Sequence, residues 1–240
     1  MRRREGAVWF FLAALCLGLS GCSTASQTSQ DAALPSVYEQ PAAADIQTVD
    51  LPRAQPPQGP FQPNANLFTC HRQISNHPQS SAAGQIQNYS PVIVAFGVVL
   101  ASAPVNDVCL SSGFGPRFGR MHKGIDLFSE SGGTIYSAAP GRILEISGQT
   151  GFGNQMVIAH AEGVFTRYAH LASFAPGLSV GDSIGFGVPL GTMGRTGNAT
   201  GIHLHYEILT GDYNNPRRSF GLEAHNPLDF PAWTGLDSTG

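Results

Sequence analysis

Apolar positions along this chain recur in short runs rather than at helical spacing. Residues 133–137, 141–146, 155–160, 164–170, 188–193 and 203–209 are runs that favour extended backbone, and glycine-bearing turns separate them. Of the 29 glycines, 23 fall between Ala103 and Gly240. Such a density lets a chain reverse tightly with positive φ, which compact β folds need and helices do not. The pattern predicts a mainly β fold, a compact glycine-rich antiparallel sheet. The apolar run over 90–100, rich in β-branched residues, reads as a buried strand, since Pro91 at its start and Gly97 within it argue against a helix. Residues 172–180 and 215–227 read as longer loops.

The first 21 residues have another character. Arg2, Arg3 and Arg4 precede an apolar stretch over 7–19 that is too short to cross a bilayer comfortably, the form of a secretion signal. It ends Leu19-Ser20-Gly21-Cys22, which resembles the lipobox of bacterial lipoproteins. That resemblance implies removal of residues 1–21 and a membrane anchor of lipid on Cys22; the alternative is an ordinary secretory peptide with Cys22 there by chance. Residues 22–66 carry seven prolines among Ala, Gln, Ser and Asp without an apolar period, and read as a disordered spacer. Residues 67–110 read as an N-terminal β segment stapled to the domain, 111–232 as the domain itself, and 233–240 as a disordered tail.

Composition narrows the partners. Hydrophobic residues make up 42% and charged residues 12% of the chain, and the formal net charge is −3. A core is affordable, but there is no basic footprint for nucleic acid. Of the four cysteines, Cys16 leaves with the signal and Cys22 takes lipid, so Cys70 and Cys109 are expected to form a disulfide in an oxidising compartment. Two free buried thiols are the alternative.

Candidate chemistry lies in three pieces: His122-Lys-Gly-Ile-Asp126, Tyr168-Ala-His170-Leu171 and His203-Leu-His205-Tyr-Glu207. On a strand, residues two apart project from one face, about 7 Å apart at the backbone. One of His203 and His205 can then bind a metal while the other reaches substrate. Gly124 lets the chain bend so that His122 and Asp126 meet the same ion, giving a three-ligand zinc site with an open fourth position. No phosphate loop, Cys ligand cluster, Gly-x-Ser-x-Gly elbow or His-Glu-x-x-His motif competes with this reading.

Over roughly 109–230 the sequence resembles the zinc endopeptidases of the lysostaphin and LytM type, peptidase family M23. The likeness runs through Ser111-Ser-Gly-Phe-Gly-Pro-Arg117, His122-Lys-Gly-Ile-Asp126, Gly153-Asn-Gln-Met-Val-Ile-Ala-His160, Thr166-Arg-Tyr-Ala-His-Leu171, Gly194-Arg-Thr-Gly-Asn-Ala-Thr-Gly201 and His203-Leu-His205-Tyr-Glu207. The resemblance implies His122, Asp126 and His205 as ligands of one zinc ion, and His170 and His203 as catalytic histidines beside it. It implies an endopeptidase that hydrolyses peptide cross-links of bacterial peptidoglycan with a metal-activated water. With the lipobox, it implies a cell-envelope lipoprotein, at the periplasmic face of the outer membrane in a Gram-negative cell. The alternative function is a non-hydrolytic module that binds or activates other wall enzymes. Glu207 shares a face with His203 and His205, where a solvated or strand-pairing glutamate is expected and a bond to a ligand ring is the other reading. His160 reads as a turn histidine.

Overall fold

Alternation along the central strands gives the main sheet one face over the larger core and another that carries polar side chains beside a smaller apolar cluster. The computed structural model describes residues 61–71 and 76–235; the signal, Cys22, the spacer through residue 60 and tail residues 236–240 lie outside the described residues. Three short strands come first, β1 (Phe68–Thr69), β2 (Val92–Ala95) and β3 (Val98–Ala101). Four more follow, β4 (Cys109–Ser112), β5 (Gly115–Arg117), β6 (Arg120–His122) and β7 (Ile125–Phe128). Then come β8 (Thr134–Tyr136), β9 (Gly141–Gln149), β10 (Gly153–Ala159), β11 (Val164–Phe174), β12 (Ser183–Ile184) and β13 (Pro189–Met193). The last two are β14 (His203–Thr210) and β15 (Glu223–His225). The fold is mainly β, as the apolar pattern predicts.

Among the described residues, one eleven-stranded sheet dominates, with a spine ordered β1-β4-β7-β14-β11-β10-β9-β12. From β4 to β12 that spine is antiparallel; β1 joins β4 in parallel. Register fixes which residues share a face. Tyr168 stands opposite Tyr206, and Tyr206 opposite Ile125. These side chains, with Leu127, Met156, Ile158, Leu204 and Ile208, are fully buried in the main core. The two tyrosine rings lie 5.5 Å apart, and each hydroxyl is satisfied: Tyr206 donates to the Ala101 carbonyl at 3.2 Å, and Tyr168 accepts from the Ala138 amide at 2.8 Å. Burying side chains of this size contributes roughly 2 to 3 kcal/mol each before entropy is counted. Because strand periodicity is two, the intervening residues Asp126, Arg167, His205 and Glu207 occupy the other face.

Two expectations need correction. The run over 90–100 is a hairpin, β2 and β3, rather than one strand: Phe96 and Gly97 both take positive φ and reverse the chain. Residues 215–227 are not only loop, since β15 pairs with the end of β14 and Arg218–Gly221 forms a 3-10 turn. Phe61 is buried and stacks on Tyr136 with ring centroids 4.7 Å apart. Within residues 67–110, β4 lies in the main sheet, between β1 and β7. The expected disulfide joins Cys70 to Cys109 with 5.1 Å between Cα atoms, which removes the reading of two free thiols.

Candidate metal centre

Asp126 and His205 stand directly opposite each other on β7 and β14, so strand pairing alone brings their side chains together. His122 reaches them from the end of β6. Its Nε2 lies 3.1 Å from Asp126 Oδ1 and 3.0 Å from His205 Nδ1, while His205 Nδ1 lies 2.9 Å from Asp126 Oδ1. All three residues are buried, and their potential ligand atoms form one cluster. The structure thus assembles the predicted ligand trio.

The outward nitrogens of the rings are also held. His122 Nδ1 lies 2.7 Å from the Gly113 carbonyl, His170 Nδ1 2.8 Å from that of Thr196, and His203 Nδ1 3.0 Å from that of Gly201. A carbonyl only accepts, so each of these nitrogens carries a proton, and when the ring is neutral Nε2 is the nitrogen with the free lone pair. His205 is held the other way round. Its Nε2 donates to Glu207 Oε1 at 3.0 Å, leaving Nδ1 turned toward Asp126 and His122. Glu207 is wholly buried, and its second oxygen accepts from Arg167 Nη1 at 2.6 Å. The expectation of a solvated or strand-pairing Glu207 therefore gives way to its alternative. Period two already put Glu207 on the correct face; Arg167 was missed because its place across from Glu207 depends on strand register, which one sequence does not reveal.

His170 owes its place to a bulge. Regular alternation after Thr166 and Tyr168 would send it into the apolar core. Instead the register with β10 shifts between Asn154 and Met156, and His170 takes a φ of 65°. Such a bulge re-aims a side chain, and the His170 ring lies 4.7 Å from that of His203 and 5.9 Å from that of His205. Its carbonyl partner is fixed by contact between two loops. Gly153 lies so close to Thr196 that a Cβ would collide with it, and the Asn154 amide donates to Thr196 Oγ1 at 2.9 Å. The blocks at 153 and 194–201 therefore meet at Thr196, whose carbonyl holds the His170 ring.

Electrostatics separates the histidines into two kinds. Burial opposes charge on His170 and the neighbouring His203 adds to it, lowering its pKa to about 4; burial likewise lowers that of His203. Both are neutral near pH 7. Burial also opposes charge on His205, but hydrogen bonds to Asp126 and Glu207 outweigh it and raise the pKa to about 9. Asp126, despite burial, is held well below the usual carboxylate range by bonds from His122 and His205. Arg117 adds an ion pair at 2.9 Å to Asp126 Oδ2.

His160 lies apart. It is buried, with Nδ1 donating to the Pro140 carbonyl at 2.8 Å and Nε2 2.8 Å from the Thr166 hydroxyl. His225 contacts Thr210 Oγ1 at 2.7 Å and does not join the cluster.

The donor set suits zinc. Two imidazole nitrogens and a carboxylate oxygen, mutually 2.9 to 3.1 Å apart, approach the ~3.3 Å edge of a tetrahedron built on ~2.0 Å bonds. Each ligand imidazole is oriented by a bond from its far nitrogen, the usual support for a metal-binding histidine.

Fold and site together define a β-sheet domain built round a buried His-Asp-His group whose atoms could hold a metal ion. Residues 120–216 match the model of Peptidase family M23. Over 114 residues the chain is 38% identical to the DD-carboxypeptidase/endopeptidase Mpg of Neisseria meningitidis serogroup B, a match covering 45% of this chain and 26% of that protein. Over 123 residues it is 34% identical to the peptidoglycan DD-endopeptidase ShyC of Vibrio cholerae serotype O1, covering 48% and 28% respectively. The chain spans about a quarter of the length of these curated relatives. The catalytic domain of the antimicrobial peptidase lysostaphin from Staphylococcus simulans is 29% identical with a TM-score of 0.44, the match covering 51% of this chain and 91% of that domain.

Proposed function

We propose that this protein is a zinc-dependent endopeptidase that hydrolyses peptide cross-links in bacterial peptidoglycan. One observation carries the reading: Nε2 of His122, Oδ1 of Asp126 and Nδ1 of His205 converge, while the far nitrogen of each ring is tied to an acceptor. The names of the relatives, a DD-carboxypeptidase/endopeptidase and a peptidoglycan DD-endopeptidase, support the substrate class.

His122, Asp126 and His205 hold the ion. Zinc, when bound, supplies Lewis acidity and a water that ionises near neutral pH. Hydrolysis places the hydroxyl of water on the carbonyl carbon and a proton on the departing amine. His170, neutral and with Nε2 free beside the metal group, accepts the proton from water and returns it to the amine nitrogen. His203 lies beside it, with Nε2 3.6 Å from Asp126 Oδ1, and in its protonated form, with N–H on both ring nitrogens, stabilises the oxyanion as the carbonyl turns tetrahedral. Cys22, outside the described residues, carries lipid in this proposal and tethers the domain in the cell envelope, at the periplasmic face of the outer membrane in a Gram-negative cell.

The test is to incubate the zinc-loaded full chain with purified peptidoglycan, with and without chelator, and identify the released peptides by mass spectrometry. Cross-linked dimers should fall to monomers only when zinc is present. A zinc-loaded chain that binds the wall and releases no peptide would establish the non-hydrolytic module instead.

A further inference from the structure

We infer that Arg167 and Glu207 are positioning residues that lock His205 in its ligand tautomer; the inference rests on the zinc reading above. The chain of contacts is short and buried. His205 Nε2 meets Glu207 Oε1 at 3.0 Å, and Glu207 Oε2 meets Arg167 Nη1 at 2.6 Å. Glu207 is 0% and Arg167 2% exposed, so water does not compete for either bond. An ionised carboxylate only accepts, so Glu207 holds a proton on Nε2, and the proton that the metal displaces is the one on Nδ1, toward Asp126 and His122.

Arg167 is what fixes Glu207. The two residues stand directly opposite on β11 and β14. The guanidinium carbon lies 4.3 Å from the centre of the Phe152 ring and 5.0 Å from that of Phe220. Among the described residues its Nε and Nη2 are buried without hydrogen-bond partners, so its hydrogen bonding there is concentrated on Glu207. Phe152 also packs on His205, with ring centroids 5.6 Å apart, and so braces both ends of the relay. Stability alone is a poor account of this pair: apolar side chains of similar volume often replace a buried ion pair without loss. A carboxylate bonded to a metal ligand, by contrast, typically governs metal affinity 10- to 100-fold. His122 has only a backbone carbonyl in the equivalent place, so the charged support acts on His205 alone.

The test measures zinc affinity by competition with a chromophoric chelator, on the full chain, beside the melting temperature of the metal-free protein. Glu207→Gln keeps volume and one acceptor oxygen, but it strands the buried Arg167 cation. The deciding variant is therefore Arg167→Met with Glu207→Leu, which removes both charges together. It should melt near the wild-type temperature yet bind zinc at least about tenfold more weakly, and at saturating zinc kcat should fall while KM holds. Glu207→Gln should show weakened zinc binding as well. A folded double variant that binds zinc as tightly as wild type overturns the inference and leaves the pair a structural one. A wild-type chain that takes up no zinc overturns the metal reading itself, and the inference with it.

Discussion

Gly124 lies so close to the backbone of Tyr206 that a Cβ on it would run into the Tyr206 carbonyl oxygen. The same Cβ would stand 3.0 Å from both Cε1 of His205 and Cγ of Glu207. Glycine is needed here for close approach between the chain entering β7 and strand β14, more than for the bend expected between His122 and Asp126; its φ is not among the positive ones. Gly124→Ala should therefore push on a ligand strand, costing about 1 to 3 kcal/mol of stability as overpacking does and weakening zinc binding with it. Urea unfolding and chelator competition on the same samples check both. Unchanged zinc affinity in the alanine variant would show that this contact does not position His205.

Zinc uptake should release protons. In the metal-free chain the His205 pKa is raised to about 9, so at pH 7 the ring is protonated and must lose a proton to become a ligand. The group's pKa lies above its ordinary value, so the competition is present below pH 9 and disappears above it. Apparent zinc affinity should accordingly rise about tenfold per pH unit through neutrality. Calorimetry in buffers of different ionisation enthalpy counts the protons; a count near zero at pH 7 would sink the prediction.

His160 should make the fold sensitive to acid. Burial depresses its pKa to about 4 in the folded state against an ordinary 6.5, so the unfolded chain binds the proton first. The contribution is fully present above pH 6.5 and is lost as pH falls toward 4, at up to about 1.4 kcal/mol per pH unit. His170 and His203 shift in the same direction, so the comparison must be with a His160→Gln variant. Its melting temperature should vary less than that of wild type between pH 6.5 and 5. Equal slopes would mean that His160 does not carry the effect.

What the sequence made legible follows from period and from local blocks. Alternation put His203, His205 and Glu207 on one face, and glycine-spaced runs announced the antiparallel sheet. The fate of Glu207 needed more, because its partner Arg167 is 40 residues away and meets it only through the register of β11 and β14. His170 was reached through resemblance, since period two would have assigned it to the core with Tyr168 and only a bulge turns it round. The run over 90–100 misled because strand propensity is high on both sides of a turn whose first residue, Phe96, is not a usual turn former.

The disulfide should be worth several kcal/mol. Cys70 and Cys109 are 39 residues apart, and closing a loop of that length is expected to add about 4 kcal/mol by restricting the unfolded chain. Replacing both by Ala should lower unfolding stability by that order, and neither thiol should label in the unfolded, unreduced wild type. Free labelling without reductant would show that the bridge does not form in the isolated protein.

Ligands and catalytic histidines should come apart in a paired measurement of metal and activity. His122, Asp126 and His205 supply the converging atoms, whereas His170 and His203 lie alongside with rings 4.7 Å from each other. Changing any one of the first three to Ala leaves two donors, which hold zinc poorly, so bound metal and peptide release should vanish together. Changing His170 or His203 to Ala leaves the three donors in place and removes a proton acceptor or an oxyanion partner. Zinc content should then stay near wild type while hydrolysis falls about 100-fold or more. The two variants should also differ from each other. Loss of His170 removes the neutral base and should flatten the acid side of the pH-rate profile, whereas loss of His203 should lower the rate with that side of the profile retained. If His170→Ala and His203→Ala lose zinc as fully as His205→Ala, the division between holding the metal and moving the proton is wrong, and all four histidines belong to one binding group.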